Sequence, residues 1–218
     1  MNVHHKEITY NSTNSYAVLN DLNDKTKNVW LVFHGMGYLS RYFLKYFKSL
    51  DAQKNYILAP QAPSKYYIPP KMHVGANWLT RVNTLTDTAN VLNYIDAVLE
   101  AEMVFKSITN YNLIVLGYSQ GVSIAMRYLA SRKLQCEQLV IHSGGIPEEL
   151  TPKDFNFMLS KTTVKLIYGK DDEYLNEERM LIEQNRAKRL FGNRLNIMPF
   201  EGAHVINQEA IENIGREY

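Results

Sequence analysis

Apolar residues recur along this chain in two rhythms. Short continuous runs mark strands buried on both faces, and longer stretches repeat every three to four residues, as helices do. The continuous runs are Val29–Phe33, Tyr56–Ala59, Leu113–Leu116, Gln138–His142, Thr163–Tyr168 and Leu195–Phe200. Helical spacing appears in Tyr38–Leu50, through Tyr42, Phe43, Tyr46, Phe47 and Leu50. It is clearest in Asp87–Phe105, where Val91, Leu92, Ile95, Val98, Leu99 and Met103 form one stripe. Val122–Leu129 and Asn176–Phe191 continue the series, the latter stopped by Gly192-Asn193, and a last helix is expected from near Asn207. At the front, Glu7–Tyr10 and Tyr16–Leu19 read as an antiparallel edge pair around the polar turn Asn11–Ser15. Asn20–Lys27 is polar and turn-like. Two stretches fit neither rhythm. Gln61–Asn77 is a proline-rich connection, and Glu148–Ser160 is a mixed excursion with a short helix expected near Asp154–Leu159.

From Val29 onward strands alternate with helices. That alternation predicts an α/β fold, a mostly parallel central sheet with helices on both faces. Repeats, low-complexity tracts and linkers are not seen, so residues 1–218 are expected to form one domain. In such sheets sites form beyond the carboxyl ends of the strands. His34-Gly35, Ser119, Ser143-Gly144, Asp171-Asp172 and His204 all follow strand ends directly.

Composition narrows the class without changing it. The 218 residues suffice for a full core, with 45% hydrophobic and 21% charged residues, ordinary for a soluble protein. Twenty-four basic and 22 acidic residues leave a net charge of +2, which makes no case for a nucleic-acid partner or an anionic membrane surface. A single cysteine, Cys136, excludes an internal disulfide and a cysteine-based zinc site. The N-terminal stretch lacks the apolar segment of a signal peptide, and apolar runs fall short of the roughly 18 residues of a membrane span. A cytoplasmic location is expected.

The candidate chemistry centres on Leu113–Gly121. An apolar run ends in Gly117-Tyr118-Ser119-Gln120-Gly121, and a helical stretch follows at once. This is the strand, tight turn and helix of a nucleophile elbow, which sets a serine hydroxyl above a helix N-terminus. A serine hydroxyl needs a base to take its proton, and the base needs a carboxylate to hold its tautomer. The elbow predicts the order serine, acid, histidine. Asp171, Asp172 and Glu173 lie just past a later strand end, with Asp172 preferred and Asp171 a competing turn cap. His204 lies past the last strand and is the expected general base; His142 precedes the acid loop and is expected to be a core histidine. Oxyanion donors are expected at the Gln120 N–H and, in the loop His34-Gly35-Met36-Gly37, at the Met36 N–H.

These motifs resemble the carboxylesterase/phospholipase branch of the α/β-hydrolase superfamily, which includes the acyl-protein thioesterases and small bacterial carboxylesterases. The resemblance runs from about Val29 to the C-terminus. It is carried by His34-Gly35-Met36-Gly37, Ala59-Pro60-Gln61-Ala62-Pro63 with Trp78 downstream, Gly117–Gly121, Ser143-Gly144-Gly145, Gly169-x-x-Asp172 and Gly202-Ala203-His204. It implies an α/β-hydrolase fold without a large lid, a Ser119–Asp172–His204 triad, and Met36 and Gln120 as oxyanion donors. The chain departs from the family's pattern at Leu79-Thr80-Arg81 after Trp78, at Glu173-Tyr174-Leu175-Asn176 in the acid loop, and through Lys65–Asn77.

The expected function is therefore a serine hydrolase of carboxylic esters or thioesters, acting on a small-molecule substrate with no cofactor and no metal ion. Tyr38, Trp78 and Leu79, with Tyr66, Tyr67 and Met72, are candidates for an apolar pocket. A lyase or perhydrolase on the same fold, and a catalytically silent binding scaffold, are the alternatives. A homodimer is compatible with all three.

Overall fold

Each continuous apolar run becomes a strand. In the computed structural model, which describes residues 3–102 and 111–217, β2 spans Asn28–Phe33, β3 Asn55–Pro60, β6 Asn112–Tyr118, β7 Gln138–His142, β8 Thr163–Gly169 and β9 Leu195–Phe200. With β1 (Tyr16–Leu19) they form a seven-stranded sheet in the order β1-β3-β2-β6-β7-β8-β9. β1 is antiparallel to β3, and the other neighbours are parallel.

The strand period of two divides these runs between two cores. Val29, Leu31 and Phe33 face one cluster, and Trp30 and Val32 face the other. The first cluster is closed by helices α2 (Thr84–Ala101), α3 (Gln120–Arg132) and α4 (Glu177–Phe191), through residues such as Ile95, Leu129 and Ala187. The second is closed by α1 (Ser40–Phe43), a 3-10 turn at Leu44–Phe47, and the C-terminal helix α5 (Gln208–Arg216). Strands covered on both faces need apolar residues at every position, which is why these runs do not alternate.

The helices start where side chains satisfy free backbone groups. Asn176 Oδ1 accepts from Arg179 N at 3.0 Å before α4, and Asn207 Oδ1 accepts from Ala210 N at 3.0 Å before α5. α2 begins three residues before the expected Asp87, because the Asn83 carbonyl already accepts from Asp87 N. Its first turn carries Leu85 at 88% exposure, off the apolar stripe, and so gives no periodic signal. Met103 and the expected end at Phe105 lie outside the described residues.

Four expectations are corrected. Glu7–Tyr10 forms no strand. β1 is itself only partly buried, so an outer strand would have no apolar surface to rest on, and Ile8 is 89% exposed. Tyr38–Leu50 is not one helix. The chain tightens after Phe43 into 3-10 geometry, although Phe43 and Phe47 still face the same core. Gln61–Asn77 carries an antiparallel hairpin, β4 (Ser64–Ile68) and β5 (His73–Asn77). Its outer residues are mostly exposed, so no alternation advertises it. In Glu148–Ser160 the regular element is a 3-10 turn at Pro152–Phe155, set by Thr151 and Asp154 in a capping box.

The parallel register aligns the strand ends. Phe33 lies beside Gly117, Tyr118 beside His142, His142 beside Ile167, and Gly169 beside Phe200. The loops that follow leave from one edge of the sheet. The centre of the sheet should carry the stability of this arrangement. Ile114 is fully buried in β6, so Ile114→Ala is expected to lose about 2–5 kcal/mol in urea unfolding with an unchanged denaturant slope. A loss under about 1 kcal/mol would contradict this account of the core.

Candidate active site

The turn between β6 and α3 places Ser119 where no regular element could. Its backbone sits at φ 53 and ψ −121, and its N–H donates to the His142 carbonyl at 2.9 Å. A non-glycine residue held there stores strain of about 1–3 kcal/mol. The structure enforces it by packing α3 hard against the end of β2. A Cβ on Gly121 would fall 2.1 Å from the Phe33 carbonyl oxygen, so only glycine permits the passage.

His204 reaches Ser119 from the loop after β9. Its Nε2 lies 3.0 Å from Ser119 Oγ, and its Nδ1 lies 2.7 Å from Asp172 Oδ2. A carboxylate only accepts, so Nδ1 carries the proton and Nε2 keeps a lone pair toward the serine hydroxyl. Asp172 is 3% exposed, whereas Asp171 is exposed and points its N–H to the Gly202 carbonyl. Burial of the Asp172 carboxylate is compensated in full view: its Oδ1 accepts from Tyr174 N at 2.9 Å and Leu175 N at 3.0 Å. The structure thus brings Ser119, His204 and Asp172 into one hydrogen-bonded line.

Two further backbone groups lie close by. Gln120 is the first residue of α3, so its N–H has no carbonyl four residues back within the helix. The β2 loop turns at Gly35–Tyr38, with Tyr38 N donating to Gly35 O at 3.3 Å and Gly37 at φ +86. In such a turn the N–H of the second residue, Met36, is not used by the turn itself. The loop passes directly against the serine: a Cβ on Gly35 would lie 3.1 Å from Ser119 Cβ. The N-terminal end of α3 adds positive partial charge at the same place.

Side chains whose roles the sequence does not advertise lock these loops. Gln120 uses its side chain as well as its backbone. Its Nε2 donates to Asn77 Oδ1 and to the Leu79 carbonyl, and its Oε1 accepts from Trp78 N at 2.9 Å. The elbow is thereby stitched to the end of the β4–β5 hairpin. Trp78 Nε1 donates to the His34 carbonyl at 2.8 Å, and its ring packs 5.0 Å from His34 and 5.8 Å from Phe33. Trp78 is 1% exposed, so its ring is committed to packing rather than to an open wall. Leu79 is half-buried and is held through its carbonyl. Tyr38 is half-buried, bonded to the Tyr46 hydroxyl, and lines a cavity of about 240 Å³ together with Gly37, Arg41, Tyr42, His73 and Val74. Tyr66, Tyr67 and Met72 are exposed on the hairpin.

Two buried histidines act as neutral braces. His34 Nδ1 donates to the Gly35 carbonyl at 2.8 Å, and its Nε2 accepts from Ala62 N at 3.2 Å. His142 Nε2 accepts from Asn207 N at 3.0 Å, with Nδ1 3.1 Å from Ser143 Oγ. Burial lowers His34 to about 4. Burial and the nearby His204 lower His142 to about 3. Both rings accept a backbone N–H through Nε2, which only the neutral form can do. The sequence signal for these roles was their position at strand ends; what they bond is visible only in three dimensions.

Comparison with known proteins extends this geometry. Residues 14–216 match the family model described as Phospholipase/Carboxylesterase. No curated protein matches the chain. Among solved structures, acyl-protein thioesterase 2 of Zea mays superimposes with a TM-score of 0.68 at 14% identity, covering 94% of this chain and 97% of that one. Esterase PE8 gives 0.62 at 20% identity over 94% and 97% of the two chains. A phospholipase/carboxylesterase from Dyadobacter fermentans gives 0.63 at 16% identity over 96% and 98%. These likenesses confirm the α/β-hydrolase fold.

The neutral histidines make stability depend on pH. An unfolded chain protonates both rings as the pH falls through 6.5, while the native state refuses those protons until about 4 and about 3. Their stabilising contribution is complete above 6.5 and is lost progressively below it. Urea unfolding is expected to show a loss of roughly 3 kcal/mol between about pH 7.5 and about pH 5.5, from the two rings together. Constant stability over that interval would contradict their assignment as neutral braces.

Proposed function

Because the chain belongs to the phospholipase/carboxylesterase family of hydrolases, we propose that it is a serine hydrolase that cleaves carboxylic esters or thioesters through an acyl-enzyme on Ser119. The observation that carries this reading is the unbroken line Ser119 Oγ, His204 Nε2, His204 Nδ1, Asp172 Oδ2, with contacts of 3.0 and 2.7 Å. In the first half-reaction His204 Nε2 takes the Ser119 proton as Oγ attacks the substrate carbonyl carbon. The carbonyl oxygen becomes an oxyanion, which the Gln120 and Met36 N–H groups stabilise beside the N-terminus of α3. Collapse of the intermediate breaks the bond to the alkoxide or thiolate, and His204 returns the proton to the leaving group. Water then repeats the sequence on the acyl-enzyme, with His204 again as base, and releases the acid. Asp172 stabilises the imidazolium that forms twice per cycle and holds its tautomer.

The substrate class is drawn from the family and from the loops around the serine. The maize neighbour is named as an acyl-protein thioesterase, which supports placing thioesters beside oxygen esters in the expected range. The cavity beside Tyr38, lined also by His73 and Val74 of the hairpin, is a candidate for part of the substrate site. Among the described residues, no helix is long and apolar enough to cross a membrane.

A fluorophosphonate probe is expected to label the protein at Ser119, and p-nitrophenyl acetate to give a burst of nitrophenol. Ser119→Ala should abolish labelling, His204→Ala should lower kcat at least about a thousandfold, and Asp172→Asn at least about a hundredfold. If the unaltered protein shows no labelling and no burst, the proposal fails.

A further inference from the structure

His204 and Asp172 both sit on irregular loops, but only Asp172 has its side chain pinned by backbone N–H groups of its own turn. Glu201–Val205 bends between β9 and α5 without regular structure. Ser119 is held by the elbow, and Asp172 by two backbone N–H groups of its own turn. A histidine on such a loop depends on whatever fixes its backbone, because misplacement by about 1 Å can cost a reaction about a hundredfold.

Both backbone polar groups of His204 are bonded to side chains. Its carbonyl accepts from the Tyr118 hydroxyl at 2.9 Å, and its N–H donates to Glu173 Oε2 at 3.3 Å. Tyr118 immediately precedes Ser119, and Glu173 immediately follows Asp172. We propose that Tyr118 and Glu173 are positioning residues which register the His204 backbone directly against the serine and the aspartate. This inference rests on the reading of His204 as the base.

The two anchors have different characters. Tyr118 is 2% exposed, with its ring stacked on Phe43 at 6.1 Å and edge-on to Tyr38 and His142 at 5.9 and 5.4 Å. Its hydroxyl is therefore a fixed point, and burial raises the phenol well above its ordinary range, keeping it a donor. Glu173 is exposed but one residue from a buried, pinned neighbour, so its carboxylate has a short and directed reach. The ends of the histidine loop are tied separately, by Asp171 N to the Gly202 carbonyl at 3.0 Å and by Asn207 N to His142 at 3.0 Å. Removing either anchor thus leaves the loop in place and frees mainly residue 204.

The test uses the full chain with Tyr118→Phe, Glu173→Ala and Glu173→Gln. Three quantities are read: kcat and KM on p-nitrophenyl acetate, the rate of Ser119 phosphonylation, and Tm. Y118F and E173A are expected to lower kcat and the phosphonylation rate about 3- to 10-fold, the worth of one hydrogen bond, with KM and Tm near those of the unaltered protein. E173Q keeps an acceptor oxygen and should stay within about twofold of it. Unchanged rates in Y118F and E173A overturn the proposal. So do losses confined to KM, and so does an E173Q as slow as E173A. If Y118F fails to fold, the two Glu173 variants decide. Absence of labelling at Ser119 in the unaltered protein would instead refute the underlying hydrolase reading.

Discussion

The site depends on one close passage, that of α3 across the end of β2. Gly121 brings the helix so near Phe33 that a single methyl group would collide with its carbonyl oxygen. That contact sets the angle at which α3 leaves β6. The angle in turn forces Ser119 into its left-handed conformation, with its N–H spent on the His142 carbonyl. The strain is local and small against the burial that opposes it. Val122, Ile124, Ala125, Met126, Tyr128 and Leu129 of the same helix are buried, and each fully buried large apolar side chain contributes about 1.5–3 kcal/mol. Ser119, the helix N-terminus and the turn carrying Met36 are thus positioned by one packing decision.

Rigidity around that point comes from buried and half-buried polar groups that are hydrogen-bonded across the loops. His34 and His142 stay neutral so that each accepts a backbone N–H at a strand end. Gln120 joins the elbow to residues 77–79, and Trp78 joins them back to His34. Leaving any of these groups unpaired would cost about 1–3 kcal/mol, so the loops have little freedom to rearrange. Preorganised donors of this kind are what an acyl-transfer reaction needs, because charge appears on the substrate oxygen faster than loops move. His204, the base in the proposed reaction, sits on an irregular loop whose backbone is bonded to Tyr118 and Glu173.

Much of this was legible in the sequence, for physical reasons. Parallel strands buried on both faces leave continuous apolar runs, so β2, β3 and β6–β8 stood out; β9 is only partly buried and stood out by its apolar residues Leu195, Ile197, Met198 and Phe200. Ser119 and His204 stood out because the elbow fixes both local spacing and chain order. Asp171 and Asp172 follow the same strand end, and spacing alone does not separate neighbours; the fold does, turning Asp172 inward and leaving Asp171 exposed. The β4–β5 hairpin was hidden because its residues mostly face solvent and carry no alternation. Glu7–Tyr10 alternates as a strand would, yet lacks a surface to cover. The bracing roles of Gln120 and Trp78 were invisible, since a hydrogen bond across 42 positions leaves no local pattern.

The central claim is that Ser119 carries the acyl group during turnover. Peptide mass spectrometry on protein quenched during p-nitrophenyl acetate hydrolysis tests it most directly. The account predicts one acetyl group on the peptide containing Ser119, accumulating in the unaltered protein and absent from Ser119→Ala. Turnover without an acetylated Ser119, or acetylation at another residue that competes for the flux, would contradict it.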